Sequence, residues 1–111
     1  MSPAEARAFA LSLPEVTEEP HFEKTSFRVR GKIFATLPPE GEYIHLFLDE
    51  ILVHALVSED PGTFEELRWG SRLIGTRARI AAVGPERLRE LLEEAWRHKA
   101  PKRLAQEFHH S

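Results

Sequence analysis

The sequence has no cysteine among its 111 residues. This excludes disulfide bonds, thiolate zinc sites and thiol catalysis, and it is compatible with a reducing cytoplasm. No stretch approaches the roughly 20 apolar residues of a membrane-spanning helix. The N-terminus carries charges where a signal peptide has an apolar run. We therefore expect a soluble, cytoplasmic protein that makes no membrane contact.

Motifs for catalysis, phosphate binding and metal binding are also missing. No serine lies in a Gly-x-Ser-x-Gly elbow, no glycine-rich phosphate loop precedes a helix, and the six histidines lack HExxH spacing. Acidic pairs such as Glu18-Glu19 and Glu65-Glu66 are adjacent in sequence, so in a regular element their side chains point apart. We expect no catalytic residue, no metal, no cofactor and no enzymatic activity.

The central element is predicted to be a β-hairpin over residues 24–37, because apolar and polar residues alternate on both sides of Gly31. A three-residue loop is favoured, since it pairs Val29 with Ile33 and Phe27 with Ala35 on one apolar face. The basic residues of the hairpin then lie on the opposite face or near the tip: Arg28, Arg30 and Lys32.

Other elements flank this hairpin, and 111 residues predict one domain, residues 1–111, that folds without disulfides. A helix begins at Ser2 as N-cap and is ended by Pro14. Residues 15–22 are predicted as an irregular connection that pairs at most briefly with a sheet edge. A strand over 43–48 is followed by a helix over 49–58, for which a buried strand over 51–57 is the alternative. A strand over 62–69 and a turn between Gly70 and Gly75 lead to a strand over 76–83, with Ala78, Ile80 and Ala82 inward. The chain then forms a helix from Pro85 to Ala100, a short helix around Leu104–Phe108 and a disordered His109-His110 tail.

Charge is strongly segregated along the chain, although the net charge is only −3. Twelve of the fifteen Lys and Arg residues fall in three acid-free stretches, residues 24–39, 67–85 and 95–106. The net charge argues against an indiscriminate nucleic-acid binder. The segregation predicts one basic and one acidic surface.

Two groups of residues resemble the signature of the MmcQ/YjbR family of small bacterial proteins. The first is Pro20-His21-Phe22, Ser26-Phe27-Arg28-Val29 and Gly31-Lys32-Ile33-Phe34-Ala35, and the second is Leu91-Leu92, Ala95-Trp96-Arg97 and Ala100-Pro101-Lys102. The resemblance implies an α+β fold, a two-layer sandwich in which an antiparallel sheet packs against helices in the order α-β(3)-α-β(2)-α. This order matches the elements predicted from the residues. Members are described as DNA-binding proteins of a double-wing type.

The resemblance and the basic stretches together make DNA the expected partner, bound without catalysis through basic β-ribbons. An ordinary solvated sheet face is the competing interpretation. A protein-interaction or small-ligand module is the alternative function. The candidate DNA contacts are Arg28, Arg30, Lys32, Arg77, Arg79, Lys102 and Arg103.

Aromatic residues and histidines offer further candidates. Trp69 lies in a turn where an exposed indole stacks on a base or a partner, although a loop anchor packed on the core is favoured. The pattern at His21, Tyr43, His45 and Phe47 fits a small-molecule pocket, but packing as amphipathic fillers is favoured. Trp96 belongs to the apolar stripe of its helix and is predicted to be core.

Overall fold

A computed structural model describes residues 1–108, and its ten elements form an α+β fold with one six-stranded sheet. All neighbouring strands pair antiparallel, in the order β1-β2-β3-β4-β6-β5. The predicted fold class is therefore confirmed. The elements are α1 (Pro3–Ser12), β1 (Val16–His21), β2 (Lys24–Val29), β3 (Lys32–Leu37), β4 (Tyr43–Phe47), α2 (Glu50–Glu59), β5 (Phe64–Trp69), β6 (Arg72–Arg79), α3 (Pro85–Lys99) and α4 (Lys102–Phe108).

The helices begin where their capping residues predict. Ser2 and Glu5 form a capping box at α1, with Pro3 in the first turn. Asp49 accepts a hydrogen bond from the backbone N–H of Leu52 and so caps α2, which settles residues 50–59 as helix rather than strand. The predictions for these helices are confirmed. The prediction for His109-His110 lies outside the described residues.

The connection after α1 is regular, contrary to expectation. Val16–His21 forms a full edge strand, β1, that pairs with β2 from Val16 opposite Val29 to His21 opposite Lys24. The sequence of β1 does not predict a strand, because its acids and Pro20 are poor strand formers. They are tolerated here because β1 lies at the edge of the sheet. The strand order therefore gains one strand over the predicted β(3) unit.

The central hairpin has a two-residue turn, so the predicted three-residue loop is wrong. Arg30 and Gly31 occupy the turn with φ of 52° and 81°, and Val29 pairs with Lys32. Phe27 nevertheless pairs with Ala35 as predicted, because β3 contains a bulge that absorbs one residue at Phe34. The bulge also allows Phe34 to be buried in the core beside Ala35.

The second hairpin repeats this design. Its turn is Gly70-Ser71, with Trp69 opposite Arg72, and its bulge lies at Ile74 of β6, between the pairs Leu67–Gly75 and Arg68–Leu73. The prediction that Gly75 ends the turn is wrong, because this glycine is buried inside β6. A Cβ there would lie 2.1 Å from the carbonyl oxygen of Leu46 on β4, so the close approach of the two strands requires glycine.

The hydrophobic core lies between one face of the sheet and the helices. Phe27, Ile44, Leu46 and Ala78 of the sheet are fully buried there, together with a stripe of α3 that includes Trp96. The indole N–H of Trp96 donates to the carbonyl of Pro14 at 3.0 Å, which fixes α3 against the end of α1. Ala82 was predicted to face this core but is exposed, because β6 ends at Arg79.

In residues 1–108, no helix is both long and apolar enough to cross a membrane. The same residues hold no group of three or more His, Asp or Glu side chains placed to bind a metal ion.

Candidate nucleic-acid interface

The face of the sheet opposite the helices, here called the outer face, carries one continuous row of polar side chains. Strand register places these six residues in line across all six strands, because each is the direct partner of the next. We call them the central row: Glu19, Ser26, Thr36, His45, Arg77 and Glu65.

Basic side chains from the two hairpins flank the central row. Side chains alternate along a strand, so Lys24 and Arg28 share the face of Ser26 on β2, and Arg79 shares the face of Arg77 on β6. The first two basic stretches of the sequence therefore meet on the outer face. Four cationic side chains lie on the outer face: Lys24, Arg28, Arg77 and Arg79.

Arg28 is held close to the sheet by its neighbours. Its Nε donates to the hydroxyl of Ser26 at 3.1 Å and lies 3.8 Å from a carboxylate oxygen of Glu19. Ser26 in turn donates to the carbonyl of Glu19 at 2.7 Å. The side chain of Arg28 is consequently half-buried and directed along the row.

Tyr43 contacts two of the three arginines of β6, Arg77 and Arg79. The guanidinium carbon of Arg77 lies 3.6 Å from the centre of the tyrosine ring, and Nη2 of Arg79 donates to the tyrosine hydroxyl at 2.8 Å. Tyr43 and Arg79 are direct partners across β4 and β6, which brings the phenol and both guanidinium groups together. One patch of the outer face therefore combines an aromatic ring with two guanidinium groups that contact it.

Acids on neighbouring positions pair with these arginines. Arg77 contacts Glu65 at 3.3 Å, and Arg79 contacts Glu42 at 3.0 Å. The predicted separation into a basic and an acidic surface is therefore incomplete on this face. Exposed ion pairs of this kind contribute only about 0–1 kcal/mol, so a phosphate can replace a carboxylate at small cost.

His45 is a neutral member of the central row. Burial is the largest cause that lowers its pKa to about 4, and the positive charges of Lys24 and Arg77 lower it further, against a smaller opposite effect of Glu40. Its neighbour Thr36 is buried, and its hydroxyl has no hydrogen-bond partner among residues 1–108. The centre of the outer face therefore combines two nearby cations, a neutral imidazole and an unsatisfied hydroxyl.

The three-residue loop predicted Arg30 on the outer face. In the structure Arg30 lies in the hairpin turn instead. Its Nη2 donates to Glu15 at 3.1 Å, and its Nε makes a second hydrogen bond to the same carboxylate. This bidentate partner raises the pKa of Arg30 and lowers that of Glu15. Lys32 lies beside it at the turn, exposed and away from the central row.

Lys102 and Arg103 belong to the helical layer. Their helix, α4, packs on α3 through the rings of Phe108 and Trp96, whose centres are 5.1 Å apart. Arg103 lines a small pocket with Arg30 beyond the hairpin turn. The third basic stretch thus neighbours the hairpin turn of the first, but Lys102 and Arg103 do not join the outer-face cations.

Trp69 is 77% exposed at the end of β5, so the favoured interpretation as a packed loop anchor is wrong. Alternation along β5 places it on the same side as Glu65, at one corner of the outer face. Tyr43, His45 and Phe47 are half-buried on that face, as the filler interpretation expects.

Sequence reasoning did not count Lys24, Thr36 or Tyr43 among the nucleic-acid contacts, although it singled out Tyr43 beside His45 as a pocket or filler residue. Lys24 and Thr36 follow the same period-2 pattern that singled out Arg28, so that pattern alone was enough to find them. The role of Tyr43 requires β4 to pair with β6, and the 24 residues between Phe47 and Arg72 carry no local sign of that pairing.

Comparisons with known proteins place this fold among uncharacterised relatives. A family model described as YjbR matches residues 11–98. Uncharacterized proteins of Mycobacterium bovis and Mycobacterium tuberculosis are 32% identical over 72 residues, which cover 64% of this chain and 56% of theirs. The aligned part thus spans little more than half of those relatives.

A solved structure shares the architecture. The crystal structure of Deinococcus radiodurans protein DR2400, with the DUF419 domain, matches at a TM-score of 0.76 and 18% identity. The match covers 86% of this chain and 75% of that one. DUF419 is the YjbR family, so the structural and sequence comparisons agree.

Proposed function

The chain belongs to the YjbR family, and we propose that its outer face binds DNA without catalysing a reaction. One observation carries this proposal: two hairpins distant in sequence bring Lys24, Arg28, Arg77 and Arg79 onto one open sheet face. Lys and Arg side chains at such spacing neutralise phosphates, which supply most of the affinity of nucleic-acid binding.

The position of the cations favours a single strand over a duplex. They lie in the middle of a broad sheet, from β2 to β6, and span roughly 14 Å at about 4.8 Å per strand. A two-stranded ribbon that enters the major groove needs its contacts on a protruding hairpin. The hairpin tips here are Arg30-Gly31 and Gly70-Ser71, and Arg30 is already paired with Glu15.

Aromatic groups complete the surface. Tyr43 lies among the cations and Trp69 is exposed at the corner, and base stacking on such rings contributes about 1–3 kcal/mol per base. In the proposed complex, phosphates replace Glu65 and Glu42 as partners of Arg77 and Arg79. Since the protein is acidic overall, binding depends on this face alone and weakens steeply with salt.

A salt-titrated binding assay tests the proposal with a labelled single strand and the corresponding duplex. Four phosphate contacts predict a slope of log affinity against log salt of about −3 for the single strand. The Arg77→Ala variant should lower affinity several-fold and reduce the magnitude of the slope by about 0.7.

Arg87 provides a matched control on the helical layer. Its side chain is 45% exposed and lies 3.4 Å from Glu59, whereas that of Arg77 is 40% exposed and 3.3 Å from Glu65. Arg87→Ala removes the same charge and should leave DNA affinity and its salt slope unchanged. No binding at low salt, or equal losses in both variants, would falsify the proposed function.

A further inference from the structure

The hydroxyl of Thr36, at the centre of the outer face, is buried without a hydrogen-bond partner among residues 1–108. Thr36 is 2% exposed, and its Oγ1 is the only buried side-chain polar atom in residues 1–108 without a hydrogen-bond partner. Ser26, its neighbour in the central row, is equally buried but donates to the carbonyl of Glu19. Buried hydroxyls are almost always satisfied, so an unsatisfied one indicates a missing partner.

Of the two cations that act on His45 in the central row, only Arg77 has a carboxylate partner within residues 1–108. The ammonium group of Lys24 forms no hydrogen bond or ion pair with any residue of the described range 1–108. Lys24 and Arg77 both act on the pKa of His45, the cross-strand partner of Thr36, and the opposing negative charge of Glu40 has the smallest effect. The partner of Arg77, Glu65, is the last residue of the central row, on β5.

We infer that the centre of the outer face is a phosphate subsite, in which Lys24 and Arg77 supply positive charge and Thr36 supplies a hydrogen-bond donor. The inference rests on the proposed function, because a DNA phosphate is one source of this chemistry. Free phosphate is the other source. Neutral His45 adds a ring N–H as a second donor.

Access to the hydroxyl requires a side-chain movement. Thr36 Oγ1 exposes less than 1 Å². His45 is its direct partner on the open side of the sheet, so rotation of the imidazole opens the hydroxyl to a phosphate oxygen. The bound anion then offsets the repulsion between the imidazolium and the two flanking cations. Binding therefore raises the pKa of His45, by about one or more.

An NMR titration of the full chain with inorganic phosphate, at ionic strength held constant with chloride, tests the subsite. We expect saturable shifts at Thr36 and His45 and a higher His45 pKa. Thr36→Val keeps the shape but removes the donor, and should weaken phosphate binding about tenfold. Thr36→Ser retains the hydroxyl and should bind within about threefold of the parent protein.

The same variants in the DNA assay separate the two proposals. If DNA binds but phosphate shifts neither residue and Thr36→Val keeps full DNA affinity, the subsite is overturned and the proposed function stands. If phosphate binds with the expected loss in Thr36→Val but DNA does not bind, the subsite is supported as a small-anion site and DNA binding is overturned. Absence of both interactions overturns both.

Discussion

The guanidinium group of Arg77 stacks on the ring of Tyr43, with 3.6 Å between the guanidinium carbon and the ring centre. The same tyrosine accepts a hydrogen bond from Arg79 through its hydroxyl. One side chain of β4 thus orders two cations of β6, which lowers the conformational entropy that these arginines lose when they bind a phosphate.

Replacement of Tyr43 should therefore weaken DNA binding without removing a charge. Tyr43→Leu abolishes both contacts, and we expect a threefold to tenfold loss of single-strand affinity with little change in the salt slope, because all four cations remain. Tyr43→Phe keeps the stacking on Arg77 and should lose less. Fluorescence anisotropy over a range of salt concentrations measures both quantities. Equal affinity of Tyr43→Leu and the parent protein would show that the arginines need no such support.

Two buried threonines make opposite predictions for stability. Thr76 donates to the carbonyl of Glu65 at 2.8 Å, whereas Thr36 has no partner within the described residues. Thr36→Val should raise the free energy of unfolding by about 1 kcal/mol, because it removes an unsatisfied hydroxyl at constant shape. Thr76→Val should lower it by about 1–2 kcal/mol, since a hydrogen bond is lost. Urea unfolding compares them, and a destabilised Thr36→Val variant would mean that Thr36 has a partner in solution.

Local sequence signals predicted the helices well. The caps at Ser2 and Asp49 and the apolar stripe of α3 depend on residues within one or two turns, so they are readable without the fold. The strands other than β1 were predicted, most of them from alternation, although β6 lies at Arg72–Arg79 rather than at residues 76–83. An edge strand rich in acid lacks the apolar face on which that method depends.

The register and the site were harder to predict, because both depend on distant pairings. The bulge at Phe34 is buried in the core, and without it the pairing of Phe27 with Ala35 requires a three-residue loop, which places Arg30 wrongly. Gly75 resembles a turn glycine in the sequence, and only the approach of Leu46 explains it. The basic stretches suggested a shared surface, but the glutamates that pair with Arg77 and Arg79 come from β5 and the β3–β4 loop.

Stability should depend on pH through His45. Its pKa is about 4 in the folded protein, below the ordinary value of 6.5 that applies to the unfolded chain. Between these values the unfolded chain binds more protons, so the contribution is fully present above about pH 6.5 and is lost as pH falls towards about 4. We expect a loss on the order of 2 kcal/mol, below the full linkage value because the ring is partly exposed.

The His45→Gln variant isolates this effect, because it cannot be protonated. Urea unfolding near neutral pH and near pH 4.5, without phosphate, should show a smaller decrease for the variant than for the parent protein. The titration of the ring followed by NMR gives the pKa directly. A His45 pKa near 6.5, with equal decreases in the two proteins, would contradict the buried, cation-flanked setting.

Gly75→Ala should be among the most destabilising glycine substitutions in the chain. The added Cβ meets backbone atoms of Leu46 and Phe47, which cannot move aside without disrupting the β4–β6 pairing, so we expect a loss of about 3 kcal/mol. Gly62→Ala is the control: its Cβ meets only a side-chain oxygen of Asp60 at 3.6 Å, an ordinary contact. Its effect should stay within about 0.5 kcal/mol in thermal unfolding. Comparable losses in the two variants would indicate that β4 and β6 are farther apart than described.

Trp69 allows a direct optical test of base stacking at the corner of the outer face. The two tryptophans differ in exposure, since Trp69 is 77% exposed and Trp96 is fully buried. In a Trp96→Phe variant, addition of single-stranded DNA should quench the emission of Trp69, because a stacked base lies against the indole. In a Trp69→Phe variant, the buried Trp96 should respond little, and DNA affinity should remain nearly unchanged because phenylalanine also stacks. Trp69→Ala should lower affinity about fivefold or more. DNA binding with no quenching of Trp69 and no loss in Trp69→Ala would confine the interface to the central row and its cations.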